Sequence, residues 1–323
     1  MKLYALFVSC ALVVGGSVGA FAAGDPLPSW KDGAAKGKIL EFVEQVTTEG
    51  SPSFVPKEDR IAVFDIDGTL WSERPYYSDA QFAADRVKAL SNEHPEWAKQ
   101  LPFAPIVKGE YEVLNHIASP DFVRMMAAAR NDADDETFYR VVEEWFDSVE
   151  NPVKKRPQSK LTYQPMLELI DLLEDKGFTA YLVTGADEEF IRAVSGKIYG
   201  IPPERVIGNG LKVQVKETDD GIEVKRLPEV GTDNNGPGKV VQIGEVVGRK
   251  PIFAAGNSDG DYYMMRWTTT GDRPSLAVLV LHDDPEREFP QSKPKKAGAA
   301  VDTLPNWVGV SMKNDWAAVY PAD

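Results

Sequence analysis

The stretch Ile61-Ala-Val-Phe-Asp-Ile-Asp-Gly-Thr-Leu-Trp71 decides how the rest of the chain is read. Its first four residues are apolar, and Ile61 and Val63 are β-branched, as suits a strand buried on both faces of a parallel sheet. The run then breaks into Asp65 and Asp67, followed by Gly68 and Thr69. Two carboxylates at the carboxyl end of a buried strand are costly unless a cation or hydrogen-bond donors meet them. In open α/β sheets that edge is also where ligands bind. Taken alone, the pattern is better read as a solvated strand-to-loop turn with Asp-Gly as turn chemistry.

The Asp-x-Asp-Gly-Thr-Leu string resembles motif I of the haloacid dehalogenase (HAD) superfamily of phosphotransferases, and three further segments resemble its partners in order. An apolar run, 178–183, ends in Thr184-Gly185 ahead of a predicted helix, 187–199, and resembles motif II. Lys239 opens a predicted helix after the loop Asn234-Asn-Gly-Pro-Gly238, as motif III does; Lys250 is the rival, but directly precedes a strand. Pro251-Ile-Phe-Ala-Ala255 leads into Gly256-Asn-Ser-Asp-Gly-Asp261, which resembles motif IV. There Asn257 stands where the family has its first acid, Asp261 matches the second, and Asp259 is an additional carboxylate. The resemblance spans 63–261. It implies a Rossmann-like, doubly wound parallel α/β sheet.

Around these motifs the chain divides into a leader, a core and an insertion. Met1-Lys2, an apolar stretch over 3–18 and then Ala20-x-Ala22 read as a secretory signal over 1–22, placing the mature protein in the periplasm or outside the cell. The single cysteine, Cys10, falls inside that leader, so the mature chain has no thiol chemistry. Residues 23–71 and 161–323 form the predicted α/β core. Between them, 72–160 carries apolar residues three and four apart over 79–90, 106–118, 122–129 and 136–149, with prolines as breaks. A helical insertion at this place resembles the cap of phosphoserine phosphatase-type members. Residues 211–216 and 222–226 alternate around Asp219-Asp-Gly221, a predicted hairpin, and 283–299 reads as a surface loop.

A formal charge of −14 argues against nucleic acid or an anionic membrane as a partner. The partner expected is a small phosphorylated molecule. His94, His116 and His282 share no paired spacing, so neither a histidine metal site nor a Ser-His-Asp triad is supported.

What the resemblance implies chemically is phosphoryl transfer from a monoester. Asp65 is the nucleophile and Asp67 the general acid and base. Mg²⁺ is expected on Asp65, the Asp67 carbonyl and the Asn257 side chain, with Asp261 holding a metal-bound water or orienting Lys239. Lys239 balances charge, while Thr184 and the Gly68 and Gly185 amides clamp phosphoryl oxygens. Glu73 and Arg74 either contact the leaving group or form a salt bridge at the cap hinge. Dehalogenases lack the second acid, so Asp67 disfavours that reaction. The remaining alternatives are a phosphorylcholine-type phosphatase, whose motif I carries Asn where this chain has Gly68, a phosphotransferase of the same fold, and a catalytically idle ligand-binding member.

Overall fold

Ile61–Phe64 (β1) runs through the middle of the sheet with all four residues buried. Its alternation sends Ala62 and Phe64 into one apolar cluster and Ile61 and Val63 into another, so both faces of the strand are covered. The structure is a computed structural model and describes residues 24–322; the expected signal segment and Cys10 lie outside them.

Seven strands follow the order β4-β3-β2-β1-β5-β6-β7, where β2 is Thr179–Asp187, β3 Val206–Thr218, β4 Gly221–Thr232, β5 Phe253–Gly256, β6 Leu276–Leu281 and β7 Trp307–Ser311. All neighbours pair in parallel except β3 and β4. On one face lie Ile39 of α1 (Ala34–Thr47), Leu169 of α6 (Gln164–Asp175) and Phe190 of α7 (Glu188–Tyr199). On the other lie Ile243 of α8 (Pro237–Val246), Met264 and Met265 of α9 (Tyr262–Thr268), and Ala297 and Ala300 of α10 (Lys295–Thr303). This is a doubly wound α/β sheet.

The insertion between β1 and α6 carries four helices: α2 (Ser78–Leu90), α3 (Phe103–Val107), α4 (Ser119–Arg130) and α5 (Asp135–Ser148). The helix expected over 106–118 is interrupted: α3 ends, Gly109 takes a left-handed φ of 84°, and Tyr111–His116 forms a separate 3-10 turn. The insertion does not build a core of its own. Phe82 packs on Phe190 of α7 with ring centroids 5.4 Å apart, and Trp71 packs on Phe146 at 5.1 Å, so its apolar interior is continuous with one side of the sheet. An ionic seam runs alongside, with Arg226 of β4 bound to Asp135 of α5 at 3.0 Å and to Glu189 of α7 at 2.7 Å.

Two other expectations change. The predicted hairpin exists, but its first arm is the direct continuation of the third core strand: β3 pairs with β2 over 206–209 and runs on past it to pair with β4 as the sheet's edge. The predicted loop over 283–299 contains the start of α10, whose buried face is made of Ala297, Gly298 and Ala300 and gives almost no apolar periodicity to read.

Candidate active site

Asp65 extends the β1 ladder, its N–H donating to the Ala255 carbonyl at 3.0 Å. That bond fixes its side chain at the carboxyl edge of the sheet. Oδ2 accepts from Thr69 Oγ1 at 2.9 Å, and Oδ1 lies 2.5 Å from Lys239 Nζ. Burial pushes the Asp65 carboxyl up to about 6, with the Asp261 charge adding and Lys239 opposing.

Lys239 reaches this point because Pro237 starts α8 just behind the sheet edge. Only 3% exposed, its ammonium spends its three N–H groups on Asp65 Oδ1, the Val183 carbonyl at 2.8 Å and Asp261 Oδ1 at 2.8 Å. Burial alone would lower its pKa, but the Asp261 and Asp65 carboxylates win and hold it above the ordinary lysine value. Lys250 bonds the Thr270 carbonyl and lies before β5, at the opposite edge.

Motif II does not form the simple strand end expected. The pairing of β2 with β3 shifts between Val183 and Asp187, leaving residues 184–186 out of the ladder. Gly185 thereby lines the cavity, while Thr184 is fully buried beneath it. The Thr184 hydroxyl accepts from Ala186 N at 3.0 Å and its carbonyl takes Asn234 Nδ2 at 2.7 Å, so it braces the turn rather than presenting itself at the cavity surface. The N-cap of α7 is Asp187, which accepts from Phe190 N at 2.9 Å. The Gly68 amide likewise departs from expectation: it donates to the Trp71 carbonyl at 2.9 Å, so the φ of +76° at Gly68 serves to close the motif I turn.

In motif IV the three polar residues separate by role. Asp261 is engaged on both oxygens: Oδ1 takes Lys239, and Oδ2 accepts from Asn257 N, Ser258 N and Ser258 Oγ at 3.0–3.1 Å. It shapes the loop through Oδ2, which takes three donors, and orients Lys239 through Oδ1. Asp259 turns away and accepts the backbone N–H groups of Lys295, Lys296 and Ala297 at the start of α10. Asn257 faces Thr69 and Gly68, with Oδ1 3.3 Å from Thr69 Oγ1 and a buried Nδ2 that has no partner.

These groups floor a cavity of about 450 Å³ whose upper wall comes from the insertion. Asp67 stands at its side, with Oδ1 accepting from Trp71 Nε1 at 2.7 Å. Burial raises its pKa well above the carboxylate range, and the charge of Asp79 adds to this. Glu73 and Arg74 both line the cavity. Glu73 accepts from Gln291 Nε2 at 2.6 Å and is pushed up to about 7, chiefly by burial. Among the described residues no three His, Cys, Asp or Glu side chains converge as metal ligands.

Sequence reading missed Asp79, His282 and Gln291. Asp79, in the first turn of α2, places its carboxylate in the cavity wall and accepts from Asp187 N at 3.0 Å. His282 Nε2 lies 2.6 Å from the Gly68 carbonyl and its ring is buried. One signal was available: His282 follows the apolar strand β6, whose end reaches the same sheet edge as Asp65.

Comparison with known proteins agrees with this layout. A conserved functionally unknown protein from Anaerococcus prevotii is 17% identical, with 76% of this chain and 85% of that chain covered at a TM-score of 0.50. A protein of unknown function from Bordetella pertussis is 15% identical over 78% and 97% of the two chains, with a TM-score of 0.47. A phosphoserine phosphohydrolase-like protein from Francisella tularensis is 15% identical over 76% and 100%, with a TM-score of 0.36. The likeness to the first of these speaks to the fold alone. Curated protein sequences returned no match. The family model of haloacid dehalogenase-like hydrolases matches residues 62–266, which takes in all four motifs, and the chain belongs to that family.

Proposed function

We propose that this hydrolase is an exported, Mg²⁺-dependent phosphatase that cleaves a small phosphate monoester through an aspartyl-phosphate. The observation that carries the reading is the Asp65–Lys239–Asp261 array on the floor of a cavity whose side holds a second carboxyl, Asp67. Asp65 attacks phosphorus as the ester oxygen departs, and Asp67 gives that oxygen its proton. Water then attacks phosphorus and gives a proton to Asp67, the bond between Asp65 and phosphorus breaks, and inorganic phosphate leaves with the Asp65 carboxylate restored. Burial, with the charge of Asp79 adding, raises the Asp67 pKa, the direction that favours a proton on Asp67 for the first of these steps.

Asp65, the Asp67 carbonyl and Asn257 would hold Mg²⁺, and all three offer the hard oxygens that this ion takes. The orphaned amide of Asn257 fits that role. As placed, Oδ1 competes with Asp65 for the one proton of Thr69 Oγ1 while Nδ2 meets nothing. Turning the amide over lets Nδ2 donate to Thr69 and presents a buried acceptor oxygen that no protein donor serves. When bound, the ion lowers the repulsion between the Asp65 carboxylate and the incoming phosphate.

The test is hydrolysis of p-nitrophenyl phosphate with Mg²⁺ and with a chelator. Wild type should turn over only with the metal, and Asp65→Asn should lose at least about a thousandfold. Inactive wild type from acidic to neutral pH would instead favour a ligand-binding member of the fold. Export rests on the leader pattern over 1–22, and fractionation of cells producing the full chain checks it; an unprocessed cytosolic product overturns it.

A further inference from the structure

The expected ligands give a divalent cation one charged side chain, Asp65. The other carboxylates nearby are spent: Asp261 on Lys239 and its own loop, Asp259 on the start of α10. Asn257, where the second charge belongs in the family pattern, is neutral. Apart from Asp67, assigned above to proton transfer, one acid in the cavity remains without such commitments. Glu73 is 7% exposed, lines the cavity and forms no salt bridge among the described residues. Only Oε1 is held, by Gln291 Nε2; Oε2 has no hydrogen-bond partner among the described residues.

Its position is set by Gly68. A Cβ built on that residue would run into Asn257 Nδ2, come within 2.8 Å of Asn257 Cγ, and reach Glu73 Cδ at 3.0 Å. The Asn257 amide and the Glu73 carboxyl therefore close on the same point, over the backbone of the Asp65-x-Asp67 turn. Arg74 eases the charge on Glu73 from a distance, but a buried carboxylate that no cation touches is unfavourable unless one arrives.

From this geometry we infer that Glu73 supplies the negative charge that Asn257 lacks, binding the divalent cation through Oε2 or through one of the ion's waters. The inference rests on the metal-dependent reading above. It moves Glu73 from the leaving group to the metal. Gln291 then acts as a positioning residue that fixes which oxygen turns inward.

Calorimetric titration of Mg²⁺ into the phosphate-free, full-length protein decides the matter, with Mn²⁺ binding followed by electron paramagnetic resonance as a second readout. Glu73→Gln keeps the shape and can still accept from Gln291, and a thermal melt confirms that it folds. It should weaken metal binding by about 10- to 100-fold, the range for losing an outer partner of a metal site. The double variant Glu73→Gln/Asn257→Asp should return affinity toward wild type. If Glu73→Gln binds the ion as wild type does and only KM rises, Glu73 contacts the leaving group and the inference fails alone. If wild type itself binds neither ion, the metal-dependent reading fails with it.

Discussion

Lys239 Nζ lies 2.5 Å from Asp65 Oδ1 and 2.8 Å from both the Val183 carbonyl and Asp261 Oδ1, so one ammonium ties together the ends of β1, β2 and β5. Asp65, the motif II turn and the motif IV loop are fixed relative to one another by a single buried charge. Removing it separates two effects that an exposed lysine would not combine.

Lys239→Ala leaves the Asp65 and Asp261 carboxylates facing each other without compensation. Breaking a buried pair in this way costs about 3–5 kcal/mol of stability. Turnover should fall as well, because charge developing on the phosphoryl group loses its donor. Urea unfolding and kcat/KM measure the two losses. Lys250→Ala should change neither; if it is the damaging variant, Lys239 is not the motif III lysine.

Asn257→Asp should tighten Mg²⁺ in the phosphate-free protein, by a modest factor because the site opens to solvent at the sheet edge. Asp259→Asn should leave metal affinity alone and cost about 0.5–2 kcal/mol of stability, the usual worth of a helix N-terminal cap, since it gathers three N–H groups at the start of α10. Loss of Mg²⁺ binding in Asp259→Asn would reverse these assignments.

Asp187 sets an unusual pH dependence. Burial first, then the charge of Asp79, raises its carboxyl to about 7 in the folded protein, far above the unfolded value. The folded state therefore holds the extra proton. The cost of ionising Asp187 is fully present above its folded pKa and is relieved as pH falls through neutrality toward the unfolded pKa. Asp187 thus contributes a rise in melting temperature on mild acidification. Asp187→Asn keeps an acceptor for Phe190 N and should flatten that part of the profile; an unchanged slope would show that other carboxyls carry it.

His282→Leu removes the donor to a buried carbonyl, that of Gly68. An unsatisfied buried carbonyl costs about 1–3 kcal/mol. Because Gly68 lies between Asp67 and Thr69, kcat should drop more than KM rises. An equal change in stability with unaltered kcat would make His282 purely structural.

The parts of the fold that were legible in the sequence are those with strong local signals. Strand β1 reads from four apolar residues that break into acids, and helix α6 from Pro165 at its start and Gly177 at its end. Asp65, Lys239 and Asp261 could be grouped because motif order along the chain carries spatial information that composition does not. The errors have physical causes. Thr184 and the Gly68 amide were placed on the cavity surface because nothing local predicts the bulge at 184–186 or the Gly68–Trp71 bond. His282 meets Gly68 of motif I across 214 residues of sequence and Gln291 meets Glu73, just beyond that motif, across 218, contacts that no pattern in either segment encodes. Asp79 looked like an ordinary first-turn acid of an amphipathic helix.

The shared interior of the insertion and the sheet domain bears on how this enzyme can diversify. Excising 72–160 and joining the ends would strip the cover from Phe190 and Trp71, leaving an aromatic scar in water and a chain prone to aggregate. Transplanting the helices from a relative meets the same obstacle, because the graft must match α7 as closely as its own interior. Side chains that line the cavity from the insertion, such as Leu114, Ile117 and Phe122, can be exchanged while the seam behind them stays fixed.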